Sequence, residues 1–210
     1  MSTRSYGDAC GIAQGVDVIG ERWATLVVRE LLLGPMRFGD LQLALPGAAP
    51  NVLTQRLREL EAAGVLRRRR LDPPSGARVY ELTDSGAELE PILVAIGDWA
   101  VRSGCLDSSG TLSAVSAMLT LKTYFAPTRP WRADYDLRLG NQPFAARVTG
   151  RAVLIRQGSS EQPVATIDTA PKTLLAVMVG DRELRDAPIT ITGDRPSVER
   201  LLAGVRVPQR

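Results

Sequence analysis

The chain of 210 residues contains no histidine. This absence excludes Ser-His-Asp and Cys-His catalysis and removes the commonest metal ligand. The two cysteines, Cys10 and Cys105, are too few and too far apart for a disulfide framework or a zinc site. Lysine is scarce as well, because only Lys122 and Lys172 are lysine among the 26 basic residues. We attribute the excess of arginine to the base composition of the gene, and we expect no cofactor.

Long apolar runs are also missing. No segment reaches the roughly 18–20 apolar residues that a membrane helix needs. The first ten residues, MSTRSYGDAC, have neither the apolar core nor the cleavage site of a secretory signal. Hydrophobic residues make up 44% of the chain and charged residues 23%, as in ordinary globular proteins. We therefore expect a cytoplasmic protein, long enough for two small domains.

Positive charge is concentrated in one segment. The net charge is −1 over residues 1–106, from 12 basic and 13 acidic residues, and +4 over residues 107–210, from 14 basic and 10 acidic residues. Between Asn51 and Tyr80, however, seven arginines face three acidic residues, a net charge of +4 within 30 residues. Such a focused patch is typical of a DNA-binding surface.

The first part of the chain has a helical pattern that ends in a hairpin. Apolar spacing and the breakers Gly34, Pro35, Pro46 and Gly47 divide it into short segments. The predicted helices cover residues 10–19, 21–33, 38–45, 49–63 and 84–103. Two strands, 65–71 and 77–82, flank the turn sequence DPPSG. This order predicts a winged helix-turn-helix.

The helix predicted at 49–63 has two different faces. Leu53, Leu57 and Leu60 form an apolar stripe, while the opposite stripe is polar. The groups on that stripe are able to contact base edges and phosphates in a major groove. They belong to Asn51, Thr54, Gln55 and Arg58, followed by Ala62.

Arginines before and after this helix extend the predicted interface. Residues 67–70 are all arginine on the first strand of the hairpin, and Arg78 lies on the second strand. We predict phosphate or minor-groove contacts for Arg68, Arg69, Arg70 and Arg78. Arg37 precedes the third helix, and we interpret it either as a phosphate contact or as a partner in a surface salt bridge. A solvated, charged strand is the alternative for the wing.

Residues 10–99 resemble the HxlR-type branch of the MarR-like winged-helix regulators. The resemblance is carried by motifs in the family's order and spacing. These motifs are Cys10, IGERW at 19–23, RFGDL at 37–41, LTQRL at 53–57, LEAAGVL at 60–66, YELTDSG at 80–86 and Trp99.

The resemblance implies a homodimer that binds a pseudo-palindromic DNA operator, with helices 10–19 and 84–103 at the dimer contact. We interpret Trp23, Phe38 and Trp99 as core or interface aromatics. Cys10 matches a cysteine that some family members use to sense oxidants. No basic residue lies close to it in sequence to lower its pKa, so we favour a buried structural cysteine.

The second part of the chain, residues 107–210, changes to alternating strands. We predict helices at 111–125, 171–179 and 196–203. We predict strands at 132–139, around 144–148 and 153–155, and at 164–169 and 189–194. An antiparallel sheet covered by helices is an α+β layer fold.

This order resembles the sterol-carrier-protein-2-like fold. The resemblance rests on a strand, a helix at 170–180, a variable stretch, the sequence ITGD at 191–194 and a closing helix. It implies an apolar cavity for a hydrophobic small molecule. The candidate lining residues are Leu119, Tyr124, Phe125, Tyr135, Phe144, Leu174, Leu175 and Met178. An ordinary filled core is the alternative.

No phosphate-binding glycine loop, GxSxG motif or arguable carboxylate pair is present, so we predict a protein that is not an enzyme. The leading hypothesis is a DNA-binding regulator, which we expect to be a repressor, with a hydrophobic effector bound by the second domain. The alternatives are the same regulator with an inert dimerisation domain, and a lipid carrier whose winged helix only dimerises.

Overall fold

The computed structural model describes residues 5–105, 107 and 109–208. The chain forms two compact units, Met1–Gly97 and Asp98–Arg210. The division falls inside a helix that covers Glu90–Ser103. We placed the boundary later, between residues 106 and 107, and that placement stays a prediction. None of the helices in the described ranges has the length and apolarity needed to cross a membrane.

The first unit has the predicted order of helices followed by a hairpin and further helices. Its elements are α1 (Gly11–Ile19), α2 (Ala24–Leu31), α3 (Phe38–Ala44), α4 (Pro50–Ala62), β1 (Leu66–Arg70), β2 (Arg78–Leu82), α5 (Asp84–Ala87) and α6 (Glu90–Ser103). The strands β1 and β2 pair in antiparallel fashion and form the wing. The winged helix-turn-helix predicted from the sequence is confirmed.

The core of the first unit joins α2, α3 and α4. Val27, Leu41, Leu53 and Leu57 are completely buried there, and Leu60 is 1% exposed. The predicted apolar stripe of α4 therefore packs inward, and its polar stripe faces outward. Burial of each such leucine contributes about 1.5–3 kcal/mol, which holds α4 against the core far more strongly than its surface contacts do.

One predicted helix, 84–103, is in fact two. Thr83 caps the first of them, since its hydroxyl accepts a hydrogen bond from the Gly86 backbone N–H at 3.1 Å. Gly86 is buried so close to Val65 that a Cβ on it would collide with the Val65 carbonyl oxygen. Pro91, the second residue of α6, has no backbone N–H to continue a preceding helix. The proline therefore accounts for the break.

The second unit is a sheet with helices. Its elements are α7 (Ala114–Thr123), β3 (Trp131–Leu139), β4 (Gln142–Gly150), β5 (Ala152–Gln157), β6 (Ala165–Thr169), α8 (Pro171–Met178), a 3₁₀ helix (Leu184–Asp186), β7 (Thr190–Gly193) and α9 (Arg195–Ala203). The predicted strands and helices are all found, with shifts of a few residues at their ends.

The predicted antiparallel sheet is wrong in one pairing. The strand order is β5-β4-β3-β6-β7, and β3 and β6 run parallel, with Tyr135 opposite Ala165. On one side of β3, β4 pairs with β3 and β5 pairs with β4, both in antiparallel fashion. The chain then crosses over to add β6 on the other side of β3, and this crossover sets the parallel direction. The sheet is therefore mixed, which alternation along a strand does not reveal.

One face of this sheet carries the core of the second unit. Helix α7 contacts β5, and α9 contacts β6 and β7. Tyr135, Leu137 and Phe144 are fully buried. The Tyr135 hydroxyl is satisfied inside the core by the Ser197 Oγ at 2.6 Å and by the Trp131 indole N–H at 3.2 Å. A buried tyrosine that finds such partners fits a well-packed core.

Candidate nucleic-acid interface

Helix α4 presents a polar face to solvent because its leucines are anchored in the core. Pro50 begins the helix at its first position, where the missing backbone N–H costs nothing. On the outer face the Asn51 and Arg58 side chains are exposed, and within the described residues neither is engaged in a hydrogen bond or ion pair. Both are therefore available to bind an external partner.

The other two polar groups of this face are partly engaged. The Thr54 hydroxyl donates to the Pro50 carbonyl oxygen at 2.8 Å, inside its own helix. The Gln55 amide donates to Glu59 at 3.0 Å. Each keeps acceptor or donor capacity for a second bond. The four residues that we predicted for this face therefore lie together, with Asn51 and Arg58 the least constrained.

In the wing, Glu81 holds two arginines, Arg67 and the predicted DNA contact Arg69. Its carboxylate accepts from the Arg67 Nε at 2.7 Å and from the Arg69 Nε at 2.8 Å. Partial burial acts to raise the pKa of Glu81, but the hydrogen bonds and charges of Arg67 and Arg69 outweigh it and lower that pKa. Glu81 is therefore an anion at neutral pH that offsets part of the positive charge of β1.

Arg68 is engaged on a different side of the hairpin. Its guanidinium lies 2.9 Å from the Glu61 carboxylate of α4 and 5.6 Å from the centre of the Tyr80 ring. Tyr80 is the residue opposite Arg68 in the strand register. An arginine stacked on a ring and paired with a carboxylate is held in place, and contact with DNA would require it to share or exchange its partner.

The end of the wing carries arginines without acidic partners. Arg70 and Arg78 are directly opposite each other in the register of β1 and β2. The Arg70 Nε donates to the Gly76 carbonyl at 3.0 Å, and the Arg37 guanidinium donates to the Ser75 hydroxyl at 3.3 Å. Within the described part of the chain no carboxylate pairs with Arg37, Arg70 or Arg78.

This wing-tip cluster, Arg37, Arg70 and Arg78, is electrostatically unusual. Like charges placed directly opposite each other in a hairpin destabilise it. In the described part of the chain, the acceptors bound to the guanidinium groups of this cluster are neutral, namely the Gly76 carbonyl and the Ser75 hydroxyl. An external anion would remove that repulsion, and a guanidinium is well suited to phosphate oxygens. The predicted salt bridge for Arg37 is not found among the described residues.

Sequence reasoning missed Glu81 as a partner of this interface. The signal was available, because a hairpin register places Arg67 opposite Glu81 once the turn is located. We predicted DNA contacts for Arg68, Arg69 and Arg70 without assigning any of them an acidic partner. The structure separates the arginines of 67–70 into two bound to Glu81, one bound to Glu61 and one, Arg70, for which the described residues offer no carboxylate partner.

Cys10 is exposed, so the interpretation as a buried structural cysteine is wrong for the single chain. It lies immediately before α1, and none of the residues of α1 is buried. The described residues of this unit therefore leave Cys10 accessible to solvent. Cys105 is exposed as well, and the Ser103 hydroxyl lies 3.1 Å from its sulfur.

The eight residues predicted to line a cavity in the second unit do not share one environment. Tyr135, Phe144 and Leu174 are completely buried. Phe125 is 8% exposed and Met178 is 6% exposed. The remaining three, Leu119, Tyr124 and Leu175, are half-buried. Their role in binding a ligand stays a prediction.

An open groove of about 410 Å³ lies near α8 and α9. Met178 is the predicted residue that lines it. Apolar side chains in its wall include Val177, Leu184 and Leu202, and charged residues contribute as well. The charged residues of the lining are Arg182, Glu183, Glu199 and Arg206. In the described ranges no group of three His, Cys, Asp or Glu side chains is placed to hold a metal ion.

Comparison with known proteins identifies the first unit. The family model of the HxlR-like helix-turn-helix matches residues 18–105. The uncharacterized HTH-type transcriptional regulator YvaP of Bacillus subtilis is 43% identical over 90 residues, which are 42% of this chain and 82% of YvaP. The uncharacterized HTH-type transcriptional regulator sll1512 of Synechocystis is 40% identical over 104 residues, 47% of this chain and 76% of that protein.

Among solved structures, the redox regulator HypR in its reduced form aligns with a TM-score of 0.42 and 29% identity, over 45% of this chain and 94% of HypR. The family model ends at residue 105, so the sterol-carrier-like resemblance of the second unit stays a prediction. With its matched motifs, its winged fold and relatives aligned over most of their length, the chain is a transcriptional regulator with a helix-turn-helix DNA-binding domain and belongs to the HxlR-like helix-turn-helix family.

Proposed function

We propose that this protein is a cytoplasmic homodimeric repressor that binds a pseudo-palindromic operator and responds to a hydrophobic small molecule. In each subunit α4 enters the major groove and the wing-tip cluster contacts the backbone beside it. The observation that carries the proposal is the outward face of α4, where Asn51 and Arg58 are exposed and unengaged among the described residues. An amide and a guanidinium of this kind suit adenine and guanine edges respectively.

Homodimer formation is supported by two apolar helix faces. In α1, Ile12 is 78% exposed, and Val16 is 39% exposed one turn later. In α6, Ile92, Ile96 and Trp99 recur at helical spacing and are 48%, 50% and 58% exposed. Neither helix buries any residue in the single chain. A second copy of the chain that covers these faces would remove a large apolar surface from water.

Compared with activation, repression requires fewer contacts between the regulator and other proteins. A dimer that occupies its operator excludes polymerase from an overlapping promoter by its volume alone. Activation would instead need a surface that binds polymerase. We therefore assign repression as the output of DNA binding.

The groove in the second unit supports an effector. Its volume of about 410 Å³ lies within the usual range of small-molecule sites, roughly 300–1,000 Å³. The apolar side chains of Val177 and Leu202 suit a hydrophobic molecule, and Arg182 and Arg206 suit an acidic group on it. Such a ligand regulates DNA binding only if it binds one arrangement of the dimer better than the other.

A second candidate is the same regulator with a second unit that only stabilises the dimer. The complete burial of Tyr135, Phe144 and Leu174 is consistent with it, because a packed core buries such side chains without any ligand. The two candidates differ in a single measurable property, the uptake of a hydrophobic ligand.

The DNA-binding proposal is tested by selection of duplexes from a random library with the full chain. We expect enrichment of a sequence with two-fold symmetry and a complex that contains two chains per duplex. The absence of any enriched sequence, with a folded protein, would contradict operator recognition. Enrichment of a single half-site by a monomer would contradict the dimer alone.

The effector proposal is tested with the fluorescent probe 1-anilinonaphthalene-8-sulfonate. Ala203 is exposed and lines the groove, so Ala203→Trp should fill the groove and reduce probe uptake without unfolding. Ala152→Trp is the control, since Ala152 is an exposed alanine of β5 outside the groove. If the unchanged protein takes up no probe, the result would favour the second candidate.

A further inference from the structure

Trp23 has a backbone conformation that a tryptophan rarely adopts. It lies between α1 and α2 with φ of 79° and ψ of −20°, in the left-handed region. Bulky residues avoid this region because their Cβ approaches the backbone too closely. Such a conformation persists only where surrounding contacts hold it, and it is often found where a residue has a functional position.

The contacts that hold Trp23 lead to the turn before the recognition helix. Its ring lies over Gly47, so that a Cβ on Gly47 would be 2.7 Å from the outermost ring carbon of Trp23. Gly47 belongs to the short connection between α3 and α4. The Trp23 ring also packs against the core, and the Arg22 guanidinium lies 5.4 Å from its centre.

The turn itself has little freedom to move away from the ring. Ala48 is 1% exposed and belongs to the core. Its carbonyl oxygen accepts a hydrogen bond from the Gln42 amide at 2.6 Å. A larger residue at position 47 would therefore displace either Trp23 or the start of α4.

The same junction has a second link to α4. The Glu21 carboxylate lies 3.5 Å from the Arg56 guanidinium, which also pairs with Glu59 at 2.6 Å. The Arg56 side chain is 11% exposed and the Glu21 side chain 33% exposed, so this link is partly shielded from solvent. On the other side of the junction the Thr25 hydroxyl donates to the carbonyl of Ile19, the last residue of α1, at 2.7 Å. The junction thus connects the end of α1 with both the start and the middle of α4.

We propose that Trp23 and Gly47 form a steric contact that sets the orientation of α4, with Glu21 and Arg56 as a second link that holds the same orientation. The inference rests on the proposed function, because it assigns positioning residues to operator recognition. None of these four residues belongs to the polar face of α4 that meets base edges.

A reciprocal size exchange in the full chain tests the contact. Gly47→Ala adds a methyl group where the Trp23 ring lies, and Trp23→Phe removes the outer part of that ring. We expect each single variant to lower operator selectivity about tenfold, within the discrimination that one base contact supplies. Selectivity is the ratio of Kd values for a scrambled duplex and for the duplex selected by the unchanged protein. The double variant should recover most of it, because the smaller ring leaves room for the methyl group.

The control is Gly39→Ala in α3, where an added Cβ meets nothing within 4 Å. This variant should leave selectivity unchanged. The melting temperature and the affinity for the scrambled duplex are measured for every variant. If these residues had only a structural role, a substitution would change the melting temperature but leave the selectivity ratio of the folded protein unchanged.

Three results overturn the inference. They are unchanged selectivity in folded single variants, a loss that the double variant does not recover, and a loss of equal size in Gly39→Ala. If Gly47→Ala does not fold, Trp23→Phe and Glu21→Gln replace it, and Glu21→Gln should lower selectivity about threefold, as expected for one partly exposed ion pair. Failure of the unchanged protein to select any duplex would instead contradict the proposed function.

Discussion

Replacement of Arg70 by glutamine should weaken the binding of all DNA sequences to a similar degree. Arg70 lies at the wing tip opposite Arg78, and its Nε is bound only to a neutral carbonyl, that of Gly76. Loss of one phosphate contact should lower the magnitude of the slope of log K against log salt by about 0.9 per subunit. Between 50 and 200 mM salt this slope change corresponds to a factor of about 3.5 in affinity per contact.

Arg69→Gln is the charge-matched control for this change. It removes the same unit charge from the neighbouring position of the same strand, but the Arg69 Nε is already bound to Glu81 at 2.8 Å. A phosphate contact by Arg69 would require separation of that pair. We therefore expect Arg69→Gln to change the salt slope by less than half as much as Arg70→Gln.

The assay is titration of a scrambled duplex and of the selected duplex by fluorescence anisotropy at several salt concentrations. Equal slope changes for the two variants would refute the reasoning, because the wing would then act through net charge instead of individual contacts. No slope change in either variant would show that the wing does not contact the DNA backbone.

Four further expectations follow from the same contacts. Glu81→Gln should release Arg67 and Arg69, steepen the salt slope and raise affinity for the scrambled duplex; an unchanged slope would contradict the assignment. Because the pKa of Glu81 is lowered in the folded protein, its ionised form stabilises the fold at every pH above the usual carboxyl pKa. This contribution should disappear as the pH falls through the lowered pKa, which melting temperatures measured at a series of acidic pH values would show. Arg58→Ala should cost about 1–3 kcal/mol of operator affinity and relax the preference at one base pair, as measured by repeated selection. Ile96→Glu should give a folded monomer in sedimentation experiments, since that side chain is 50% exposed in the single chain, and a persistent dimer would place the interface elsewhere.

The order of elements could be predicted from the sequence because it depends on local chemistry. Apolar spacing of 3.6 residues located the leucine stripe of α4, and the sequence DPPSG located the turn of the wing. The same spacing predicted which side of α4 is polar, and the burial of Leu53, Leu57 and Leu60 confirms it. The family followed from motifs at fixed distances along the chain.

Tertiary structure decided which charges remain available and how the strands are arranged. Four consecutive arginines are alike in sequence, but the hairpin register pairs Arg67 and Arg69 with Glu81, and the approach of α4 pairs Arg68 with Glu61. Among the described residues, Arg70 has no carboxylate partner. The parallel pairing of β3 with β6 depends on the path of the crossover, which leaves no periodic signal in either strand. Likewise, Gly47 is an ordinary turn residue in the sequence, and only the fold brings the Trp23 ring over it. Contacts between residues distant in the chain are set by packing, and packing is a property of the whole unit.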